Sequence, residues 1–218
     1  MLIVRSVVVG PFAVNAWLAA CSETREAVLI DPGAEVPRVL AMCRPEGFTV
    51  KRILLTHGHV DHASGAAEAR EATGAPVSIH PGDLPWLEVL PRQAAMFGLD
   101  EARPLTPDAT LSDGETVAVG KQSATVIHTP GHCQGSVSFF FEAAGVVFTG
   151  DTLFQGSVGR TDLPGGDFDQ LAASIVKRLF PLGDEVRFFP GHGPGGTIGV
   201  ERLQNPFVGK GARTGRYV

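Results

Sequence analysis

Residues 54–65 read LLTHGHVDHASG. An apolar run stops at Thr56, and the next six residues hold three of the chain's seven histidines, His57, His59 and His62, together with Asp61. His57 and His59, two residues apart on an extended segment, can turn their rings toward one cation. Asp61 and His62 fall at the start of the following helix and point elsewhere.

Three further apolar runs end in the same way. After ILLT-His57 come VIHTPG-His132, VVFTG-Asp151 and RFFPG-His192, and in these three a glycine stands directly before the polar residue. A glycine there permits a backbone turn that a β-carbon resists. The runs are rich in β-branched residues, as strands are, and α/β folds bind their ligands at the rims where strands end. Imidazoles and carboxylates gathered at such a rim would cost desolvation without a partner, so a metal site is the inference. Seven donors, His57, His59, Asp61, His62, His132, Asp151 and His192, exceed the four that one tetrahedral ion uses. Two adjacent cations fit them better, with a carboxylate such as Asp151 between the two.

The remaining sequence bounds what such a site can serve. At 218 residues the chain suits one large α/β domain and buries a sizeable core. No low-complexity tract or linker divides it, so residues 1–218 are expected to form a single domain. Strands are expected at 2–9, 14–20, 27–30, 52–55, 76–79, 124–128, 136–141, 146–149 and 186–189, and helices at 35–44, 63–72 and 168–180. Residues 82–108 read as a helix followed by an irregular excursion, with Trp86 and Phe97 equally suited to the core or to a pocket wall. The net charge of −5 lacks the basic face of a nucleic-acid binder. MLIVRSVVVGPF at the start is broken by Arg5, Gly10 and Pro11 and reads as a strand rather than a signal peptide. No apolar stretch reaches the length of a membrane span. Cys21, Cys43 and Cys133 are odd in number and far apart, which argues for buried thiols in a reducing cytoplasm.

THGHVDH, HTPGH, TGDTLF and FPGHG, in that order, resemble the motifs of the metallo-β-lactamase superfamily over roughly residues 5 to 205. The resemblance implies an α/β fold: a four-layer αββα sandwich of two mixed β-sheets with helices outside. It also implies that His57, His59 and His132 hold one ion, that Asp61, His62 and His192 hold the other, and that Asp151 bridges. The ions would be divalent and most simply zinc, with iron or manganese as alternatives. GDTLF…GRTDLPGG and PGHGP…NPF are similar to the compact bacterial branch of the glyoxalase II, or hydroxyacylglutathione hydrolase, group. That branch implies hydrolysis of a small-molecule, glutathione-type thioester by a hydroxide shared between the ions, with Asp61 and Asp151 as the catalytic carboxylates.

Other branches fit less well. Zinc β-lactamases with a Cys where this chain has Asp151, and no histidine at the place of His62, would differ at the site itself. Lactonases use an active-site tyrosine, and the one tyrosine here is Tyr217. Nucleases of the superfamily carry a basic arm. Where glyoxalase II places a Lys and a Tyr against glutathione, this chain has Arg160 and Asp162; Arg160 can pair a carboxylate, and Asp162 cannot copy a tyrosine. No separate helical substrate domain is expected; residues 206–218 read as a solvated tail, with Lys210, Arg213 and Arg216 as its charges. Two alternatives stand beside the thioesterase. One is a persulfide dioxygenase with a single iron on His57, His132 and Asp151, which shares the GRTD segment; the other is a non-catalytic metal-binding protein. His80 and His128 are expected to be structural, and Phe139–Phe141 to pack in a sheet.

Overall fold

The computed structural model describes residues 1–99 and 102–212; Arg213, Arg216 and Tyr217 lie outside them. Six strands form the first sheet in chain order: β1 (Leu2–Val9), β2 (Val14–Cys21), β3 (Glu26–Ile30), β4 (Thr49–Leu54), β5 (Val77–Ile79) and β6 (Ala109–Thr110). Its first three strands pair antiparallel and β3 to β6 pair parallel. The second sheet uses β7 (Thr116–Val119), β8 (Gln122–His128), β9 (Val137–Phe141), β10 (Val146–Gly150), β13 (Arg187–Pro190) and β14 (Gly196–Thr197), in the order β14-β13-β10-β9-β8-β7. It is mixed too, because β10 and β13 run parallel while its other neighbours are antiparallel. A short hairpin of β11 (Leu153–Phe154) and β12 (Ser157–Val158) follows β10.

Alternation along the strands produces the layers, since successive side chains leave opposite faces. In β2, Ala16, Leu18 and Ala20 enter one apolar cluster, with Val36 and Val39 of helix α1 (Val36–Ala41) and Ala66, Ala67 and Ala69 of helix α3 (Ala66–Thr73). Trp17 and Ala19 enter a second cluster, shared with Val126, Phe139, Phe141 and Phe148 of the other sheet. Val147 leaves the opposite face of β10 and meets Leu171 of helix α6 (Phe168–Ser174) and Ile198 of helix α7 (Ile198–Gln204). Both sheets are therefore covered on both faces, and the expected αββα sandwich is the observed one. Phe139, Phe141 and Phe148 are fully buried in the seam between the sheets, where each contributes about 2 kcal/mol of transfer free energy.

Several elements differ from the expectation. The helix read at 63–72 is two pieces, α2 (Val60–Ala63) and α3; Gly65, between them, lies so close to the Pro32 carbonyl that a Cβ there would stand 2.0 Å from its oxygen. Residues 168–180 begin as α6 but widen into a π turn at Ile175–Leu179 and tighten at Phe180–Leu182, where Pro181 removes a donor. Within 82–108 stand two helices, α4 (Leu84–Glu88) and α5 (Leu90–Met96), each with a proline in its first turn. Strand β7 and helix α7 are not foreseen by the sequence pattern: β7 alternates buried and exposed residues over only four positions, and α7 comes after a glycine-rich loop.

Strand direction decides where the ligands meet. β8 and β10 are each antiparallel to β9, and β13 is parallel to β10, so the C-terminal ends of β8, β10 and β13 share one rim. The end of β4 and the start of β2 are tied to it across the sandwich: Val137 N donates to Thr56 O at 2.9 Å, and Asn15 N donates to Gly191 O at 2.6 Å.

Candidate metal centre

Each strand end delivers one part of the centre. His57 follows β4, His59 caps α2, and Asp61 and His62 occupy its first turn. His132 follows β8, Asp151 follows β10, and His192 follows β13. All seven donors named from the sequence converge here. Three sets have ligand atoms mutually within 4.8 Å: His57, His59, His132 and Cys133; His57, His62 and Asp151; and Asp61, His62 and His192. Asp151 lies between the outer two sets, its oxygens 3.3 Å from His62 Nε2, 3.5 Å from His192 Nε2 and 3.8 Å from His132 Nε2.

The rings are held from behind. His62 Nδ1 is 2.9 Å from Asp31 Oδ2, His132 Nδ1 is 2.8 Å from the Arg160 carbonyl, and His192 Nδ1 is 3.0 Å from the Phe12 carbonyl. Each acceptor fixes the proton on Nδ1 and leaves Nε2 facing the centre. His57 is set by a relay in which Thr56 Oγ1 donates to Asp31 Oδ2 at 2.6 Å and accepts from His57 Nδ1 at 3.0 Å. His59 is turned the other way: its Nδ1 lies 2.9 Å from His132 Nε2, while its Nε2 is backed by Cys133 Sγ at 3.3 Å.

Electrostatics follow from burial and from these neighbours. Burial and the adjoining His62 hold the His57 pKa well below its usual value, and burial with His132 lowers that of His59 to about 3. Both rings are thus neutral bases. Burial works against charge on His62, but Asp151, Asp61 and Asp31 together raise its pKa well above the usual value. Burial likewise opposes ionisation of Asp151 and Asp61, and the surrounding histidines overcome it and lower both pKa values.

Two atoms test whether metal ions suit this arrangement. His57 Nε2 and Asp151 Oδ1 are buried without a hydrogen-bond partner among the described residues. Such groups cost about 1–3 kcal/mol each when unmatched. Both point into the donor cluster, and imidazole and carboxylate donors are those that divalent ions take. The residues fit.

Glycines next to the ligands divide into two kinds. Gly131 and Gly150 have φ of +132° and +49°, as expected of turns. Gly191 has no such dihedral: a Cβ there would stand 2.2 Å from Asp151 Oδ1 and 2.5 Å from His62 Cε1. Close approach of the ligands requires it. Gly191→Ala is expected to weaken zinc binding by roughly tenfold or more, as measured by competition with a chromophoric chelator. Wild-type affinity would contradict the crowding.

Asp31, Asp83 and Gln93, which the sequence pattern does not single out, complete the frame with Arg160. Asp31 and Asp83 are buried. Asp83 accepts from Gly58 N at 2.9 Å and from Gly135 N at 2.7 Å, joining the His57–His62 segment to the His132 loop. Gln93 accepts from Val60 N at 3.1 Å and donates to the Trp86 carbonyl at 2.9 Å. Arg160 contributes its carbonyl to His132, while its guanidinium holds both oxygens of Asp162 at 2.7 Å. The fork expected to receive a substrate carboxylate is therefore engaged. His80 and His128 stack on each other, centroids 4.1 Å apart, outside the three donor sets.

Above the donors opens a cavity of about 760 Å³. Trp86 stands edge-on to His59 with centroids 5.0 Å apart, and Phe97 meets Phe12 at 5.1 Å. Both aromatic residues of the 82–108 segment line this cavity, which settles their place as wall rather than core.

This rim of metal donors on an αββα sandwich is that of a superfamily, and the sequence match agrees: the metallo-β-lactamase superfamily model matches residues 9–192, and the chain belongs to that superfamily. Among curated relatives, the hydroxyacylglutathione hydrolase GloC of Haemophilus influenzae is 37% identical over 201 residues, covering 89% of this chain and 95% of its own. A solved structure of TTHA1623 in a di-iron-bound form is 43% identical with TM-score 0.84, covering 93% of this chain and 99% of that one. ETHE1 from Myxococcus xanthus is 31% identical with TM-score 0.79, over 94% and 84% of the two chains. BLEG-1, described as a B3 metallo-β-lactamase, is 36% identical with TM-score 0.85, over 94% and 99%. Overall similarity therefore does not carry the exclusion of β-lactam hydrolysis that Asp151 and His62 suggest, and that activity becomes a matter for assay. No helix among the described residues is long and apolar enough to cross a membrane.

Proposed function

We propose that the chain is a two-metal hydrolase of thioesters, cleaving a glutathione-type substrate such as S-lactoylglutathione to lactate and glutathione. The observation that carries this reading is the position of Asp151 at the floor of one cavity, its oxygens 3.3 and 3.5 Å from His62 Nε2 and His192 Nε2 on one side and 3.8 Å from His132 Nε2 on the other. His57, His59 and His132 would hold one ion, Asp61, His62 and His192 the other, and Asp151 both. Zinc is the ion we assign, with iron the competitor that the di-iron relative introduces. Bound there, two divalent ions would acidify a water and oppose the negative charge that develops on the thioester carbonyl oxygen.

The protein's own groups do the placing. Asp61 lines the cavity with its carboxylate 3.1 Å from His192 Nε2, where it can orient an attacking water. Asp31, the Arg160 carbonyl and the Phe12 carbonyl keep the imidazole tautomers fixed. The aromatic wall of Phe12, Trp86 and Phe97 keeps bulk water away from the scissile bond. We take residues 1–218 to act as one catalytic unit in the cytoplasm, where the free, buried Cys21, Cys43 and Cys133 stay reduced.

A second reading, oxidation of a persulfide at one iron, is favoured by the Gly159-Arg160-Thr161-Asp162 segment, whose Arg160 carbonyl lies beside His132. Protein purified without chelator is to be assayed for S-lactoylglutathione cleavage, persulfide-dependent oxygen uptake and hydrolysis of a chromogenic β-lactam. We expect thioester cleavage, abolished by chelation and restored by zinc. Oxygen uptake or β-lactam turnover without thioester cleavage would overturn the reading.

A further inference from the structure

The cavity wall carries one cationic side chain without a protein counter-ion. Arg92 stands on α5 and lines the cavity. Among the described residues its guanidinium has no ion pair and no side-chain hydrogen bond, whereas that of Arg160, also on the cavity wall, is paired with Asp162 through Nε and Nη2. Phe12, Val89, Met96 and Phe97 line the same cavity and are themselves exposed. Four exposed apolar residues at one mouth mark a surface that a ligand covers.

Arg92 is also tied to the centre. The next residue, Gln93, is buried and fixes α5 to Val60 N, between His59 and Asp61, so the backbone that carries Arg92 is anchored relative to the ligand segment. A planar fork beside apolar surface favours a planar anion that brings its own apolar body.

We infer that Arg92 is a specificity-determining residue that receives a carboxylate on the substrate, so that the site takes thioesters whose thiol arm is anionic, the arm's apolar part lying against Phe12 and Phe97. This inference rests on the thioesterase reading. It assigns to α5 the anion recognition that the sequence suggests for Arg160.

The test compares S-lactoylglutathione with the S-lactoyl thioester of N-acetylcysteamine, whose thiol arm is neutral, on zinc-loaded wild type, Arg92→Ala and Arg92→Lys. The ratio of kcat/KM for the anionic over the neutral substrate should fall about fivefold in Arg92→Ala, the scale of one exposed ion pair, and recover in part in Arg92→Lys. The change should sit in KM. Thermal melting verifies that each variant is folded. If both thioesters are cleaved and the ratio does not move, the inference fails while the thioesterase reading stands. If wild type cleaves neither, that reading fails, and Arg92 is judged by calorimetric binding of S-methylglutathione: affinity equal in wild type and Arg92→Ala overturns the inference, and affinity about fivefold weaker in Arg92→Ala supports it.

Discussion

Asp151→Asn is expected to reduce thioester turnover roughly a thousandfold and to leave fewer than two metal ions per chain. The carboxylate is shared: its oxygens lie 3.3 Å from His62 Nε2 and 3.5 Å from His192 Nε2 on one side, and 3.8 Å from His132 Nε2 on the other. Asparagine keeps its shape and hydrogen-bonding size but loses the negative charge. A single neutral oxygen cannot balance two cations in a buried site, where the effective dielectric is low. Stabilisation of developing charge on a carbonyl oxygen by a metal is worth several kcal/mol, which sets the thousandfold scale. Elemental analysis of the variant, purified in parallel with wild type, reads the outcome. Wild-type metal content would show that Asp151 does not bridge.

Asp31→Asn should have the next largest effect, and it acts without touching the ions. Asp31 is 1% exposed. Its carboxylate accepts from Thr56 N at 2.7 Å, from Thr56 Oγ1 at 2.6 Å and from His62 Nδ1 at 2.9 Å. An amide in its place offers only one acceptor oxygen, so its NH₂ must oppose at least one of those donors. Backbone strain does not confuse the comparison, because Asp31 has φ of 51° and asparagine tolerates that region as aspartate does. Breaking a buried charge network of this kind costs about 3–5 kcal/mol, or roughly 6–20 °C in Tm for a chain of this size. Freeing the His62 and His57 rings should also weaken zinc binding by roughly 10- to 100-fold. Melting curves of the metal-free variant and chelator competition of the loaded one measure the two parts separately. A variant that melts and binds like wild type would show that Asp31 does not support the ligands.

The ligands are legible in the sequence because each sits close after an apolar run, and strand ends of one direction must meet at one rim. His57, His132, Asp151 and His192 can be named from that rule alone, and the positive φ of Gly131 and Gly150 follows from the same turns. Support for the ligands is not legible. Asp31 lies 25 residues before Thr56, and Asp83 lies 52 before Gly135, so nothing local announces their bonds. Their one signal is position: Asp31 also follows an apolar run, VLI, before Pro32-Gly33. Gly191 reads as a turn former, yet its role is to let His62 and Asp151 close in, a contact set only by tertiary packing. Arg160 is a different case. Its charge is visible in the sequence, but the side-chain geometry by which Asp162, two residues away, consumes it is not.

Metal stoichiometry tests most directly whether the seven donors hold two ions. Protein stripped with chelator, reconstituted with zinc, freed of excess metal and measured by elemental analysis should contain close to two ions per chain, the second lost selectively in His192→Ala. One ion or none in the reconstituted wild type would contradict the two-ion centre.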